Sequence, residues 1–207
     1  ARDSCGSLYM VNAVDNRIWK YEAANPDAWP FVWTCCREFT DPVSIAVSAT
    51  DLTVVDRVGG DEWEMVSLSL ENGQVRWRRP VTAGTYIAPA GGGGLYWLDT
   101  VNKKIDRAAA PWADSVEPEE IVLTDKNGDP FTLTEPRDIA PGPGDLFYIL
   151  DVRGGKEELL VFSSGGELVQ VVTLAFRSGV YYSHLAVLPL GDVDLLFREG
   201  GGAPGLV

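Results

Sequence analysis

The chain has 207 residues, enough to bury a sizeable core, and with 45% hydrophobic and 23% charged residues it has the composition of a globular protein rather than a disordered one. Its formal net charge of -13 argues against a broad basic surface, so nucleic acid is not an expected partner. The sequence contains no apolar run of about 18 residues or more, so it predicts no transmembrane segment.

The N-terminal region bears on cellular location. The chain begins Ala1-Arg2-Asp3-Ser4 without Met, as a mature protein does after removal of a signal peptide and as a trimmed chain does equally well. We expect the first case, and therefore a periplasmic or extracellular protein. Cys5 can form a disulfide with Cys35, which leaves the adjacent Cys36 as a thiol. The alternative is that all three cysteines are buried and reduced.

Two short patterns recur in step along the chain. The first is a strand-like segment in which an apolar residue is followed by Ala, and it occurs at 43–46, 85–88, 137–140 and 183–186. The second is an apolar run, closed in most copies by Asp or Asn, at 8–12, 52–56, 95–99, 147–151 and 193–197. Successive closing positions are 44, 43, 52 and 46 residues apart. A period of roughly 40 to 50 residues is typical of the four-stranded blades of a β-propeller.

Further segments complete the predicted blade. Two more strands are predicted after most closing positions, at 17–21 and 31–34, at 64–68 and 75–77, and at 159–162 and 168–172. The first copy lacks the leading strand, and the last copy has its first two strands and then ends in the glycine-rich segment 200–205. The sequence therefore predicts an all-β fold, a single β-propeller-like domain over residues 1–207 with about five four-stranded blade equivalents, one of them incomplete.

The interval of 52 residues contains an insertion. Within it, the apolar segments 120–124 and 131–134 flank the turn 125–130, whose Asn-Gly pair adopts positive φ at little cost. These segments predict a β-hairpin. Asp125, Asn127 and Asp129 alternate in this turn like oxygen ligands of calcium, but the following Gly and the distant Glu of a helix-loop-helix site are missing, so a plain hairpin is the favoured interpretation.

Several segments resemble repeats of known propeller families. Residues 12–18 and 99–105 resemble the strand-turn-strand centre of NHL-type repeats, and residues 162–169 are similar to the next turn of that family. Residues 68–77 resemble the turn of pyrroloquinoline-quinone-type repeats, in which a tryptophan docks between blades. The resemblance implies a propeller blade but carries over no functional residue. It does not imply quinone binding, because the cofactor enzymes of that family use more blades than this chain can form. We predict no cofactor.

Few residues carry the chemistry of a catalytic or metal site. His184 is the only histidine, which excludes most His-based metal clusters, and we interpret it as a surface residue at the start of a strand. The closing residues Asn12, Asp56, Asp99 and Asp151 have two interpretations. They could line one rim and hold a divalent metal, as in some propeller hydrolases, or they could cap turns through hydrogen bonds to the backbone. We predict no catalytic residue and no metal ligand.

The tryptophans give the remaining indication of function. Trp29, Trp63 and Trp112 fall near predicted loops and are candidate partner contacts, whereas Trp77 and Trp97 fall on strands and are expected to pack between blades. We expect a noncatalytic protein-protein interaction scaffold, or an accessory subunit of a larger extracytoplasmic or membrane-associated complex. Its expected partners are other protein subunits, and any membrane association would be peripheral. A propeller that binds small molecules or carbohydrate is the second hypothesis, and a metal-dependent propeller hydrolase or lactonase is the third.

Overall fold

The computed structural model describes residues 1–3, 5–12, 15–22, 31–32, 39–109, 117–175, 180–187, 193–199 and 204–206. In these ranges the chain forms five antiparallel sheets, and within each sheet the strands follow one another in chain order. No helix in the described ranges is long and apolar enough to cross a membrane. The chain divides into two compact units, residues 1–96 with 108–118 and residues 97–107 with 119–207.

The first two sheets belong to the first unit. Sheet 1 contains β1 (Leu8–Asn12), β2 (Arg17–Tyr21) and β3 (Phe31–Val32). Sheet 2 contains β4 (Pro42–Val47), β5 (Asp51–Gly59), β6 (Glu62–Ser69) and β7 (Val75–Val81). Among the described residues, sheet 1 begins with the strand that ends at a closing residue and has no leading strand, as the sequence predicts.

The third sheet contributes strands to both units. It contains β8 (Thr85–Ala90), β9 (Gly94–Asp99), β10 (Lys104–Ala108) and β11 (Glu119–Glu120). The short 3₁₀ turn Gly91–Gly93 joins β8 to β9. The glycines of this run therefore form a tight turn, and Gly94 begins β9.

The last two sheets belong to the second unit. Sheet 4 contains β12 (Pro136–Pro141), β13 (Leu146–Arg153), β14 (Lys156–Ser163) and β15 (Leu168–Thr173). Sheet 5 contains β16 (Val180–Val187), β17 (Val193–Glu199) and β18 (Pro204–Leu206). Strand β18 was not predicted. A proline is tolerated there because β18 lies at the edge of its sheet.

Three of the recurring apolar runs, in β5, β9 and β13, form second strands that are covered on both faces. All six residues of β9 are buried, and residues 147–151 of β13 are buried as well. A strand covered on both faces has a continuous apolar run rather than an alternating one. Each run is therefore visible in the sequence as an uninterrupted apolar segment.

Each unit has a hydrophobic cluster formed between successive sheets. In the first unit the cluster joins sheets 1 and 2, and its buried members are Tyr9, Ile18, Phe39, Val47, Leu52, Val54, Val66 and Leu68. In the second unit the cluster joins sheets 4 and 5, and its buried members are Ala140, Tyr148, Leu150, Leu159, Val161, Tyr182 and Leu185. Face-to-face packing of consecutive sheets thus supplies the core of each unit.

The insertion forms a shorter hairpin than the sequence predicts. The turn after Asp125 forms, and its flanks pair through one antiparallel bridge, between Thr124 and Pro130, with a backbone hydrogen bond on either side of that bridge. The backbone of Thr124 also bonds to sheet 4, where it donates to Gly166 O at 2.9 Å and accepts from Leu168 N at 2.8 Å. The predicted hairpin therefore forms over a few residues, and the N–H and C=O of Thr124 that face away from it bond to sheet 4.

Candidate functional site

Two closing aspartates bind the backbone that leads into their own sheet. Asp56 is 1% exposed and accepts hydrogen bonds from Thr40 N at 3.1 Å and Asp41 N at 2.8 Å. Asp151 is 0% exposed, and its Oδ1 accepts from Thr134 N at 3.1 Å and from Glu135 N at 2.7 Å. Each carboxylate therefore holds the segment just before the first strand of its sheet against the end of the second strand. We call this arrangement the entry clasp.

The entry clasp has a recurring sequence pattern that was missed. An apolar residue, Thr and an acid lead into the proline of the first strand in sheet 2, at residues 39–42, and in sheet 4, at residues 133–136. The proline begins the strand, which suits a position at a sheet edge. Both copies of this pattern precede a sheet that has an entry clasp, so their recurrence could have identified the partners of Asp56 and Asp151.

Asp99 caps a local turn instead. Its Oδ1 accepts from Val101 N at 3.0 Å and from Asn102 N at 2.8 Å, and its Oδ2 accepts from the Asn102 side chain at 2.7 Å. This confirms the turn-capping interpretation for Asp99. The three aspartates serve as backbone acceptors, and no group of three or more His, Cys, Asp or Glu that could hold a metal ion occurs in the described ranges.

Burial and hydrogen bonding act in opposite directions on Asp151. Loss of solvent raises the pKa of this carboxyl above its usual value, and the hydrogen bonds from the Thr134 and Glu135 backbone oppose that rise. Burial is the larger of these effects. Burial therefore makes the charged form of Asp151 unfavourable in the entry clasp of sheet 4, and the backbone hydrogen bonds offset only part of that effect.

The carboxylate of Asp125 also accepts hydrogen bonds from the backbone of its own turn. Oδ1 accepts from Asn127 N at 2.8 Å and Asp129 N at 3.0 Å, and these backbone donors are the main reason why the pKa of Asp125 is lowered. Side-chain acceptors of this kind are ordinary in turns that contain Asp and Asn. The geometry accounts for the turn without an ion.

Equivalent residues of two first strands connect each sheet to the next sheet of its unit. Ile87 N donates to Ser44 Oγ at 3.1 Å, and Leu185 N donates to Asp138 Oδ2 at 2.9 Å. The acceptor in each pair occupies the position before the recurring Ile-Ala, and the donor is the corresponding apolar residue of the following sheet. His184 Nδ1 lies 3.4 Å from the same Asp138 oxygen. His184 is therefore part of a contact between sheets 4 and 5.

An ion pair adds a second connection between sheets 4 and 5. Arg137 donates to Glu157 Oε1 at 2.6 Å and to Tyr182 O at 3.1 Å. Glu157 Oε1 in turn accepts from Tyr182 N at 3.0 Å. The guanidinium and carboxylate bind both backbone groups of one residue of β16, which explains why these charged side chains lie mostly out of solvent.

Trp63 lies in an open groove at the outer edge of sheet 2. The groove has a volume of about 500 Å³, and the residues that line it include Val58, Asp61, Glu62, Arg78 and Pro80. Two features of the fold create it. The turn between β5 and β6 and the start of β6 supply the acidic end, and β7, the last strand of the sheet, supplies the arginine and the proline. Trp63 is half-buried, so part of its ring area stays available for contact.

The structure bears on only some of the predicted site residues. Trp29, Trp112 and Cys35 lie outside the described residues. Cys5 is exposed, so the alternative of three buried thiols does not hold for this cysteine, while the Cys5–Cys35 disulfide stays a prediction. Arg78 and Pro80 were not predicted as site residues. The concentration of Arg76, Arg78 and Arg79 on one strand of an acidic chain could have indicated this edge.

Comparison with solved structures identifies the fold. A catalytically inactive virginiamycin B lyase from Staphylococcus aureus, solved with quinupristin, has a TM-score of 0.58 and 16% identity over 100% of this chain and 64% of that one. A gluconolactonase from Xanthomonas campestris has a TM-score of 0.67 and 14% identity over 100% of this chain and 70% of that one. A nidogen/laminin complex gives a TM-score of 0.57 and 13% identity over 97% of this chain and 76% of that one.

These similarities confirm the β-propeller fold predicted from the repeats. The chain spans about 64% of the length of the lyase structure. No family model and no curated protein matches the sequence. Because the similar proteins include a lyase, a gluconolactonase and a protein complex, they indicate the architecture and no single activity.

Proposed function

We propose that this propeller is a noncatalytic protein-protein interaction module, acting as a scaffold or accessory subunit that binds other protein subunits. The observation that supports it is the Trp63 groove, which is lined by a half-exposed tryptophan of β6 and by an exposed arginine of the outer strand β7. Tryptophan and arginine are the side chains most enriched where binding energy concentrates in interfaces. The proposed setting is periplasmic or extracellular, free or peripheral to a membrane complex.

The acids that a metal-dependent hydrolase would need are committed to other bonds. Asp56 and Asp151 are buried and accept backbone hydrogen bonds, and Asp99 caps its own turn. Asp56 and Asp151 have almost no surface open to solvent, and no group of three or more His, Cys, Asp or Glu that could hold a metal ion occurs in the described ranges. The hydrolase hypothesis therefore has little support in the described residues.

Binding of a small molecule or carbohydrate remains the second hypothesis. The groove volume of about 500 Å³ is comparable with that of ligand sites, which range over roughly 300 to 1,000 Å³. The carboxylates of Asp61 and Glu62 beside an aromatic ring would suit a polar ligand. The experiment below distinguishes this hypothesis from protein binding.

A photo-crosslinking amino acid placed at Trp63 in the full chain, expressed in its native source, tests the proposal. We expect covalent adducts with a small number of proteins and, by native mass spectrometry of the gently purified wild type, a complex of fixed stoichiometry. Val122, which is 69% exposed outside the groove, is the matched control position and should give no such adduct. A monomer without adducts at position 63, together with a hit on a glycan array that Trp63→Ala abolishes, would replace the proposal by carbohydrate binding.

A further inference from the structure

The outer strand of sheet 4 lacks the side chains that usually protect a sheet edge. Strand β15 has the sequence Leu-Val-Gln-Val-Val-Thr, with no charge and no proline, and its residues 169–171 and 173 are exposed. Lysine, proline and inward-pointing charges are the features that keep an edge strand from pairing with another chain. The outer strand of sheet 2 has such features, because β7 carries three arginines and Pro80. Sheet 4 therefore presents an unprotected edge, and sheet 2 does not.

The direction of the backbone groups along β15 follows from its bonds to β14. Leu174 N donates to Glu157 O at 2.9 Å, so the backbone of Leu174 faces β14. The residues of a strand in an antiparallel ladder alternate between its two sides. Val172 therefore also bonds to β14, whereas Val171 and Thr173 direct their N–H and C=O groups to the outer side. Since β15 is the last strand of its sheet, no strand in the described ranges pairs with these four groups.

A short segment of the chain already pairs with the beginning of this edge. Thr124 forms a parallel bridge with Glu167, and its backbone donates to Gly166 O and accepts from Leu168 N. The chain then enters the turn that begins at Asp125. The outer side of sheet 4 thus accepts an extended segment at its beginning and is open beyond Leu168.

Charge around this edge indicates which kind of strand it suits. Residues 159–176 contain a single charged residue, Glu167, which lies at the beginning of the edge, is exposed and forms no ion pair with any described residue. The neighbouring turn adds the acids Asp125 and Asp129 against one base, Lys126. The net charge of -13 opposes the approach of a second copy of the chain. A strand with basic residues at this end is the complementary occupant.

We propose that the edge of β15 beyond Leu168 binds an extended segment of a partner protein, which adds a fifth strand to sheet 4 and carries Lys or Arg next to Glu167. This inference rests on the proposed function and adds a second contact surface to it. The added strand forms backbone hydrogen bonds with Val171 and Thr173, as in other cases of strand addition. Its β-branched side chains, which suit a strand, lie beside the exposed Val169 and Val171.

Synthetic peptides test the added strand directly. The probes are Lys-Lys-Thr-Val-Thr-Val and the reverse order Val-Thr-Val-Thr-Lys-Lys, because a strand can be added in either direction. Two N-methylated versions of each probe lack the N–H of either their Thr or their Val residues. Alternate residues of an added strand face the edge, so we expect one version to bind the full chain about 5-fold or more weakly than its probe, and the other within about 2-fold. Equal effects of the two methylation patterns, or no binding of either probe, would overturn the inference.

Amide hydrogen exchange measured by NMR locates the bound probe. In the free chain, the outward N–H groups of Val171 and Thr173 should exchange faster than the N–H of Val172, which bonds to β14. The bound probe should slow exchange at Val171 and Thr173 by about 5-fold or more and leave Val172 unchanged. Binding without protection of Val171 and Thr173 would place the peptide elsewhere and contradict the inference.

Two variants of one residue separate its backbone from its side chain. Val171→Pro removes an outward N–H, and proline is tolerated where the N–H of an edge strand faces outwards. We expect this variant to bind the better probe about 5-fold or more weakly, while Val171→Thr, which keeps the N–H and the β-branch, stays within about 2-fold of the wild type. The N-methylated peptides make the same comparison with the wild-type chain, so the conclusion does not depend on the fold of the variant.

A charge exchange tests the position of the basic residues. Glu167→Lys should weaken binding of the better probe by about 3-fold and strengthen binding of the same peptide with Glu in place of Lys by a similar factor. An unchanged ratio of the two affinities would refute the pairing of Lys or Arg with Glu167.

The two proposals fail in different ways. Suppose that crosslinks form at position 63 in a fixed complex and that neither probe binds. The added strand is then wrong and the interaction function stands. If position 63 yields no crosslinked subunit and the chain is monomeric, the interaction function falls and the inference falls with it. A dimer of the chain that Val171→Pro abolishes would show that a second copy occupies the edge, which overturns the partner strand.

Discussion

Replacing Asp151 tests whether the buried closing acids stabilise the fold or hold a metal ion. Asp151→Ala removes the acceptor of two backbone donors, Thr134 N and Glu135 N. Hydrogen bonds to charged groups contribute about 1.5–3 kcal/mol each, and the cost of burying the carboxylate offsets part of this. We therefore expect a net loss of about 2 kcal/mol in the free energy of unfolding. For a chain of this size, that corresponds to a fall in Tm of about 4–8 °C.

Asp151→Asn is the matched variant because it keeps one acceptor oxygen. A single oxygen, Oδ1, already accepts both bonds, at 3.1 and 2.7 Å, so the amide can retain them. We expect Asp151→Asn to lose less than about 1 kcal/mol, measured by urea unfolding. Calcium, magnesium and manganese should not change the Tm of the wild type. If a metal ion raised the Tm of the wild type, and Asp151→Ala and Asp151→Asn abolished that rise equally, Asp151 would be a metal ligand and its role as a stabilising backbone acceptor would be refuted.

The pH dependence of the same pair checks the electrostatic part of the argument. Burial raises the folded-state pKa of Asp151. A carboxyl whose pKa is higher in the folded state than in the unfolded state stabilises the fold fully only below its unfolded-state pKa of about 3.9. This contribution to the free energy of unfolding is lost as the pH rises through the folded-state pKa. Asn does not titrate, so Asp151→Asn should be more destabilising relative to wild type near pH 4 than at pH 7. The opposite trend would mean that the backbone donors outweigh burial.

Two further predictions concern the fold. Gly128→Ala and Gly166→Ala both place a Cβ at positive φ, but of the two only the Cβ at position 166 meets the backbone of Val122. In thermal unfolding we therefore expect the free energy of unfolding to fall by about 1 kcal/mol for Gly128→Ala and by about 3 kcal/mol for Gly166→Ala. Equal losses would contradict the crowding at Gly166. Asp138→Ala removes a charged acceptor between sheets 4 and 5, and Ser44→Ala removes a neutral acceptor at the equivalent position. We expect the free energy of unfolding in urea to fall by about 2 kcal/mol for Asp138→Ala and by about 1 kcal/mol for Ser44→Ala. A larger loss for Ser44→Ala would refute this comparison.

The repeats predicted most of the fold because the signal lies in local sequence. Strands β5, β9 and β13 are buried along uninterrupted apolar runs, and each run ends at an Asp. A constant spacing between such runs follows when every repeat builds the same sheet. Strand order and the capping role of Asp99 could therefore be predicted without knowledge of distant contacts.

The parts that were missed depend on contacts between distant residues. In the insertion, the backbone bonds of Thr124 to Gly166 and Leu168 join residues far apart along the chain, and no local pattern indicates them. Likewise, the groove exists because the β6–β7 register sets Trp63 opposite Val81, and a shift of one residue would turn these side chains to the other face. Composition and local spacing contain no information about such a register.

Sheets 2 and 4 show why the recurring positions do not reveal the function. Both have the entry clasp, yet their outer strands differ. Strand β7 carries three arginines and Pro80, whereas β15 is uncharged and exposes Val169 and Val171, which are 58% and 45% exposed. The positions that recur are those that build the sheets, and they would be needed whatever the protein binds. Recognition depends on the outer strands and turns, where the copies diverge, so partner specificity has to be sought in side chains such as Arg78 that have no counterpart in sheet 4.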